Sequence, residues 1–277
     1  MNRKSFLQRV AAAPHIVWTI LFIIAPLIFV IYYAFTDSDG HFTFSNIKEL
    51  AQISYLEIFL RSVCFAFLAT VICLIIAYPI AYFIAKASPR TQKILMMLVM
   101  LPMWMNFLIR TYSWMALLED TGIINSFLSI FHIGPVHMIN TAGAVILGMV
   151  YNYLPYMILP IYSVLSKVDV RLTEAAADLG CNPFQVLTKV LIPLSISGIV
   201  SGITMVFVPS ISTFYISQKL GGGNFDLIGD TIERQFQTAY NYNLGAAMSF
   251  VLMILIIISI GIMNRFSDDE EGGAMIV

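Results

Sequence analysis

The residues of this chain that could hold or move something are aromatic rings and side-chain amides. Trp104, Asn106, Arg110, Tyr112 and Trp114 share one apolar stretch, Tyr151, Asn152, Tyr153 and Tyr156 share another, and Phe214 and Tyr215 close a third. Ring faces and amide oxygens can hold a desolvated ammonium, the first through the aromatic quadrupole and the second through lone pairs. Asn152 and Tyr156 stand four apart and share a helix face. Arg110 is a cation in the same company, a position that marks function by default when it lies within a membrane. It would repel a cationic cargo, so it is expected to pair with carbonyls or with an acid of another chain, or to serve a gate. No catalytic set accompanies these residues. His15, His41, His132 and His137 are scattered without metal-ligand spacing, no serine has a nearby His/Asp set, and Cys64, Cys73 and Cys181 form no disulfide framework. An intramembrane enzyme is thereby the weakest class.

The elements that must position these side chains are membrane spans. Hydrophobic residues make up 59% of the chain and charged ones 11%, more apolar surface than a water-soluble domain of this length can hide. A formal net charge of -1 and the lack of a basic run leave no footprint for nucleic acid. Apolar runs long enough to cross a bilayer fall at about 16–35, 60–85, 94–118, 142–166, 193–216 and 244–264. The expected fold is therefore an all-α integral membrane domain of six transmembrane helices occupying 1–277, multi-pass in the cell membrane. Arg3, Lys4, Arg9, Lys86, Arg90, Lys93, Lys167, Arg171, Lys189 and Arg265 lie on one side of these runs. Only Lys48, Arg61, Lys219 and Arg234 lie on the other, among many acids. The positive-inside rule then puts both termini in the cytoplasm. The first run exceeds a signal-peptide core and is read as a retained span. No internal repeat of the kind common in secondary transporters is visible.

The loop 167–192 between the fourth and fifth runs is the most structured in its sequence. Asp169 can cap a short helix, Gly180 can end it in the left-handed conformation, and Asn182-Pro183 with Gln185 can restart one through a capping box. Two short helices joined by a glycine elbow would then lie on the cytoplasmic face. Their apolar residues Ala175, Ala176 and Leu179 need a surface to dock on.

Glu174-Ala175-Ala176, Gly180 and Val190-Leu191-Ile192-Pro193 resemble the EAA-x3-G-x9-I-x-L-P loop of binding-protein-dependent ABC permeases, with Val190 and Ile192 as conservative departures. The resemblance implies a type I importer permease of MetI-like fold, whose EAA loop is the coupling helix that seats in an ATPase subunit. It implies as partners a second permease subunit, two ATP-binding subunits and an extracytoplasmic solute-binding protein, within membrane lipid. The chain itself has no G-x-x-x-x-G-K-[ST] loop, since Gly221-Gly222-Gly223 runs on into Asn224-Phe225-Asp226. No cofactor or metal is thus expected here, and ATP with its Mg²⁺ belongs to the partner subunits.

The stretches Leu101–Trp114 with Gly122 and Asn125, Tyr153–Tyr162 and Gly221–Asp230 are similar to spermidine/putrescine permeases, the B-type subunits of polyamine importers. That likeness implies a polyamine cargo, and the rings and amides offer it a path along Trp104, Asn106, Arg110, Tyr112, Trp114, Asn152, Tyr153, Tyr156, Phe214 and Tyr215. The permissive backbone of Gly221, Gly222 and Gly223 and the acids Asp226, Asp230 and Glu233 point to contact with the binding protein. Related permeases for iron, sulfate or amino acids share parts of these motifs, and a channel or secondary transporter is a further alternative.

Overall fold

The computed structural model describes residues 14–273, and these are helical with short breaks. Arg3, Lys4 and Arg9 lie outside the described residues. In chain order the helices are α1 (Pro14–Ala34), α2 (Ser45–Glu49), α3 (Ile53–Lys86), α4 (Pro89–Trp104), α5 (Phe107–Leu118), α6 (Ile123–Ile130), α7 (Ala142–Leu165), α8 (Val170–Asp178), α9 (Pro183–Leu194), α10 (Ile196–Ile211), α11 (Tyr215–Gly221), α12 (Ile228–Gln237) and α13 (Tyr242–Gly273). Helices α1, α3, α7 and the part Tyr242–Met263 of α13 are each long and apolar enough to span a bilayer. Two bent pairs bring the number to six if each counts as one span.

The chain divides into two compact units, one of residues up to 57 with 231–255, the other of 58–230 with 256 onward. In the first, α1 buries almost none of its own length and is tied down at its C-terminal end. Its last carbonyls have no partner within the helix. Asn46 Nδ2 donates to Thr36 O at 2.8 Å and Ala34 O at 3.2 Å, and Asn243 Nδ2 donates to Thr36 O at 2.7 Å. Phe35 packs edge-on against Phe44 and Phe250 beside these bonds.

In the second unit, α7 is the central helix. Met149, Met157, Ile158 and Ile161 on it are fully buried. Since lipid is as apolar as leucine, helix association here relies on close packing. Gly198 and Gly202 on α10 supply it. A Cβ at Gly198 would lie 2.9 Å from Pro160 O and 3.2 Å from Ile161 Cα, and one at Gly202 would lie 2.6 Å from Met157 Sδ. The GxxxG pair thus lets two backbones meet.

The apolar run at 94–118 is not one helix, contrary to its hydropathy. Helices α4 and α5–α6 meet at a 90° bend. Pro102 withholds a donor from the last turn of α4, Met105 is extended, and Asn106 Oδ1 accepts from Leu108 N at 2.8 Å to start α5. A second bend of 73° separates α9 from α10. There Ser195 Oγ donates to Leu191 O at 2.6 Å and meets Tyr78 Oη at 3.0 Å. The fifth run also ends early, at Ile211, and resumes as α11.

Gly198→Ala places a methyl against a carbonyl that cannot move aside, and overpacking of this kind costs about 1–3 kcal/mol. A thermal melt of the detergent-solubilised protein should therefore show a lower midpoint for Gly198→Ala. Gly261→Ala, whose Cβ meets nothing within 4 Å, should leave it unchanged. Equal midpoints would show that the α7–α10 seam has slack.

Candidate functional site

The EAA segment folds by local rules alone. Asp169 Oδ1 accepts from Arg171 N at 3.0 Å and starts α8. Gly180, at φ +84°, ends it, with Cys181 N donating to Ala176 O at 3.0 Å and Gly180 N to Ala177 O at 2.9 Å. These two bonds are the paired closures of a Schellman motif. Two residues on, Gln185 N donates to Asn182 Oδ1 at 2.8 Å and Asn182 N donates to Gln185 Oε1 at 2.9 Å, a reciprocal capping box with Pro183 at the first turn. The elbow between the helices is thus fixed by hydrogen bonds at each step. Ala176 is buried, whereas Glu174, Ala175, Gly180 and Pro193 are exposed. Leu179 is 86% and Phe184 71% exposed, so two large apolar side chains project from the elbow.

Toward the opposite end of α7 the aromatic residues gather. A cavity of about 390 Å³ is lined by Phe107, Leu108, Tyr153, Pro209, Ser212, Thr213, Phe214 and Tyr215. The Phe107 and Tyr215 rings lie 5.9 Å apart, and Tyr153 Oη donates to Pro209 O at 3.3 Å. A smaller cavity of about 150 Å³ is lined by Met105, Arg110, Ser113, Trp114, Leu117 and Tyr151, with Trp114 edge-on to Tyr151 at 5.2 Å. Neither lining contains a carboxylate.

Arg110 is 8% exposed, its guanidinium 5.9 Å from the Phe107 ring centre, and its Nε and Nη1 have no acceptor among the described residues. Asn152 is buried on α7. It donates to Gly148 O at 2.8 Å and leaves its own Oδ1 unpartnered. Trp104, 75% exposed, and Tyr156, on the outer face of α7, line neither cavity. Asn106 is a helix cap. Lys219 was missed by sequence reasoning: its Nζ lies 5.7 Å from the ring centres of both Tyr112 and Tyr215. Its spacing four residues after Tyr215 was the available signal.

The glycine loop divides the remaining candidates. Gly222 and Gly223, at φ +59° and +77°, form an exposed tip with Asn224. Gly221 and Asp230 are buried, and Asp230 Oδ2 accepts from Leu227 N at 2.8 Å while Ile228 N donates to Ser62 Oγ at 2.8 Å. Asp230 therefore shapes the turn into α12 and is withdrawn from any docking face. Asp226 and Glu233 are half-buried.

Residues 77–269 match the family described as binding-protein-dependent transport system inner membrane component. The chain is 37% identical over 266 residues to the spermidine/putrescine transport system permease protein PotB of Haemophilus influenzae, covering 93% of each chain. It is 36% identical over 246 residues to PotB of Escherichia coli K12, covering 86% of this chain and 90% of that one. Its fold is similar to a chain in the crystal structure of a bacterial ABC transporter involved in the import of alginate, with a TM-score of 0.82 at 16% identity over 96% of both chains.

An unpaired buried guanidinium is a burden on the chain that holds it, because each unsatisfied donor costs about 1–3 kcal/mol. Arg110→Met in the protein purified without other subunits should melt at the same temperature or higher. A fall of several degrees would mean that Arg110 makes a bond within this chain.

Proposed function

The chain belongs to the family of binding-protein-dependent transport system inner membrane components, and from that membership we propose that it is one of the two permease subunits of an ATP-driven importer of polyamines such as spermidine and putrescine. The observation that carries the cargo class is the cavity framed by Phe107, Tyr153, Phe214 and Tyr215, with hydroxyls from Ser212 and Thr213. Aromatic faces attract cations and not anions, and a site without carboxylates holds a polycation weakly enough to let it go. Tight capture then falls to a solute-binding protein, which docks on the outer loops 119–141 and 217–243. Gly222, Gly223 and Asn224 are the exposed tip of the second loop.

At the other end, the elbow around Gly180 seats in the ATPase subunit. Leu179 and Phe184 are the apolar knobs and Glu174 is the charged contact. These side chains have no partner surface of their own and project from a backbone fixed by caps. The ATP-binding subunits hold ATP and Mg²⁺, and their closure drives α8 and α9. Both termini lie on the cytoplasmic side with this elbow. Arg110 favours a second reading, an anionic cargo such as sulfate, since a buried guanidinium without an acceptor is a ready anion site.

Uptake by the reconstituted importer with its own binding protein separates these readings. Polyamine uptake without sulfate uptake is expected, and the reverse would sink the assignment. Tyr153→Leu should lower maximal polyamine uptake several-fold at an unchanged amount of protein in the membrane.

The elbow gives a sharper test. A β-carbon at Gly180 meets nothing within 4 Å, so the obstacle to substitution is the left-handed backbone, worth about 1–2 kcal/mol for most L-residues and less for asparagine. Gly180→Asn should keep ATP-driven uptake, whereas Gly180→Val should lose most of it while still assembling. Equal uptake by the two would show that the left-handed turn is dispensable for coupling.

A further inference from the structure

Lys219 is the basic residue at the end of α11, and its position is chemically informative. The rings of Tyr112 and Tyr215 stand nearly perpendicular, 87° apart, with centres separated by 6.2 Å. The Lys219 ammonium lies 5.7 Å from both centres, within cation–π range of each. Among the described residues no ion pair joins Lys219 to a carboxylate. A half-buried lysine that faces rings in place of an acid occupies an ammonium site.

We propose that Lys219 is a tethered occupant of a polyamine-binding site, which the ammonium end of the arriving cargo displaces. The inference rests on the polyamine reading given above. Beyond its α-carbon a lysine is four methylenes and an ammonium, the same aminobutyl unit that ends putrescine and spermidine. In this proposal the lysine stands in for the functional end of the cargo. Tyr215 belongs at once to this cage and to the lining of the cavity with Phe107, Tyr153 and Phe214, so the cage opens onto the proposed path.

Two cations cannot share the space. With no carboxylate to neutralise either, a cargo ammonium that enters the cavity repels Lys219 at close range. Lysine's long flexible stem lets its head swing out to the polar end of the helix. Entry is then an exchange of one ammonium for another, nearly balanced in free energy. Between cargo molecules the cage stays filled by a tethered positive charge, which deters small inorganic cations from using the same site. A lysine that merely props α11 against α5 would make the opposite prediction for cargo binding, because its removal would loosen the cage.

The test uses the assembled importer in nanodiscs, without binding protein or ATP, titrated with radiolabelled spermidine. Lys219→Met keeps the length of the side chain and removes the competitor. It should tighten spermidine binding by roughly three- to thirtyfold, the equivalent of one or two cation–π contacts. Lys219→Gln, a second neutral variant should the first assemble poorly, should do the same, and Lys219→Arg should not. Adding Tyr112→Leu to Lys219→Met should abolish the gain. Unchanged or weaker binding in both neutral variants overturns the displacement proposal, even where the wild-type importer takes up polyamine. A wild-type importer that takes up no polyamine from its binding protein overturns the functional reading itself.

Discussion

In the interior of a bilayer no water is available to a backbone amide or carbonyl left without a partner, so a chain can leave the helix only where something else satisfies the freed groups. Several breaks among the described helices meet that condition with a local device. Asn106 caps α5 after the extended step at Met105. Ser195 takes up the Leu191 carbonyl at the bend before α10. Asn46 and Asn243 cover the last carbonyls of α1. The elbow closes with a Schellman pair and a capping box. Phe107, Phe214, Tyr215 and the elbow residues lie beside such breaks, where a helix changes direction and turns side chains toward a cavity or a partner, whereas Asn152, Tyr153 and Tyr156 project from the unbroken α7.

Charge within the second unit follows a different logic. Both cavities near the α5–α7 contact lack acids, yet Arg110 lies at one and Lys219 beside the other. Arginine stays charged under all ordinary conditions, so Arg110 is a permanent source of positive field. Lysine on a flexible stem is a charge that can leave. A polycation on the proposed path would be held by rings and hydroxyls and opposed by a fixed guanidinium. Weak, divided holding suits a site that must release what it receives.

The sequence made the EAA segment legible almost residue by residue. Asp169, Gly180, Asn182 and Gln185 act on neighbours within a few positions, so spacing alone determines their bonds. The break at Met105–Asn106 was not legible, since hydropathy averages across Pro102 and carries no direction. Asn106 was read as a cargo ligand because an amide in an apolar run needs a partner, and its partner proved to be the adjacent backbone. Asp230 shows the same limit: its acid was read as surface character, but its carboxylate is buried in a turn. Lys219 was half legible. Its spacing from Tyr215 is local, whereas the approach of Tyr112 depends on the packing of α5 against α11.

The two ends of the proposed machine lean on one helix. From the elbow, α9 leads through the Ser195 bend into α10, whose Gly198 and Gly202 rest on the backbone and side chains of α7 between Met157 and Val164. Farther along, Gly148 of α7 leaves room only for Leu220 and Ile216 of α11, the helix that carries Tyr215 and Lys219. At Gly198 the contact is with the Pro160 carbonyl and the Ile161 α-carbon, backbone that cannot absorb a displacement, and close-packed interiors yield little when pushed. In the proposed coupling, a shift imposed on the elbow would be carried by α10 to α7, and the cage would follow α7 or lose its packing. The same small residues that allow these helices to associate in lipid, where the hydrophobic effect gives no help, also make the seam stiff enough to transmit motion.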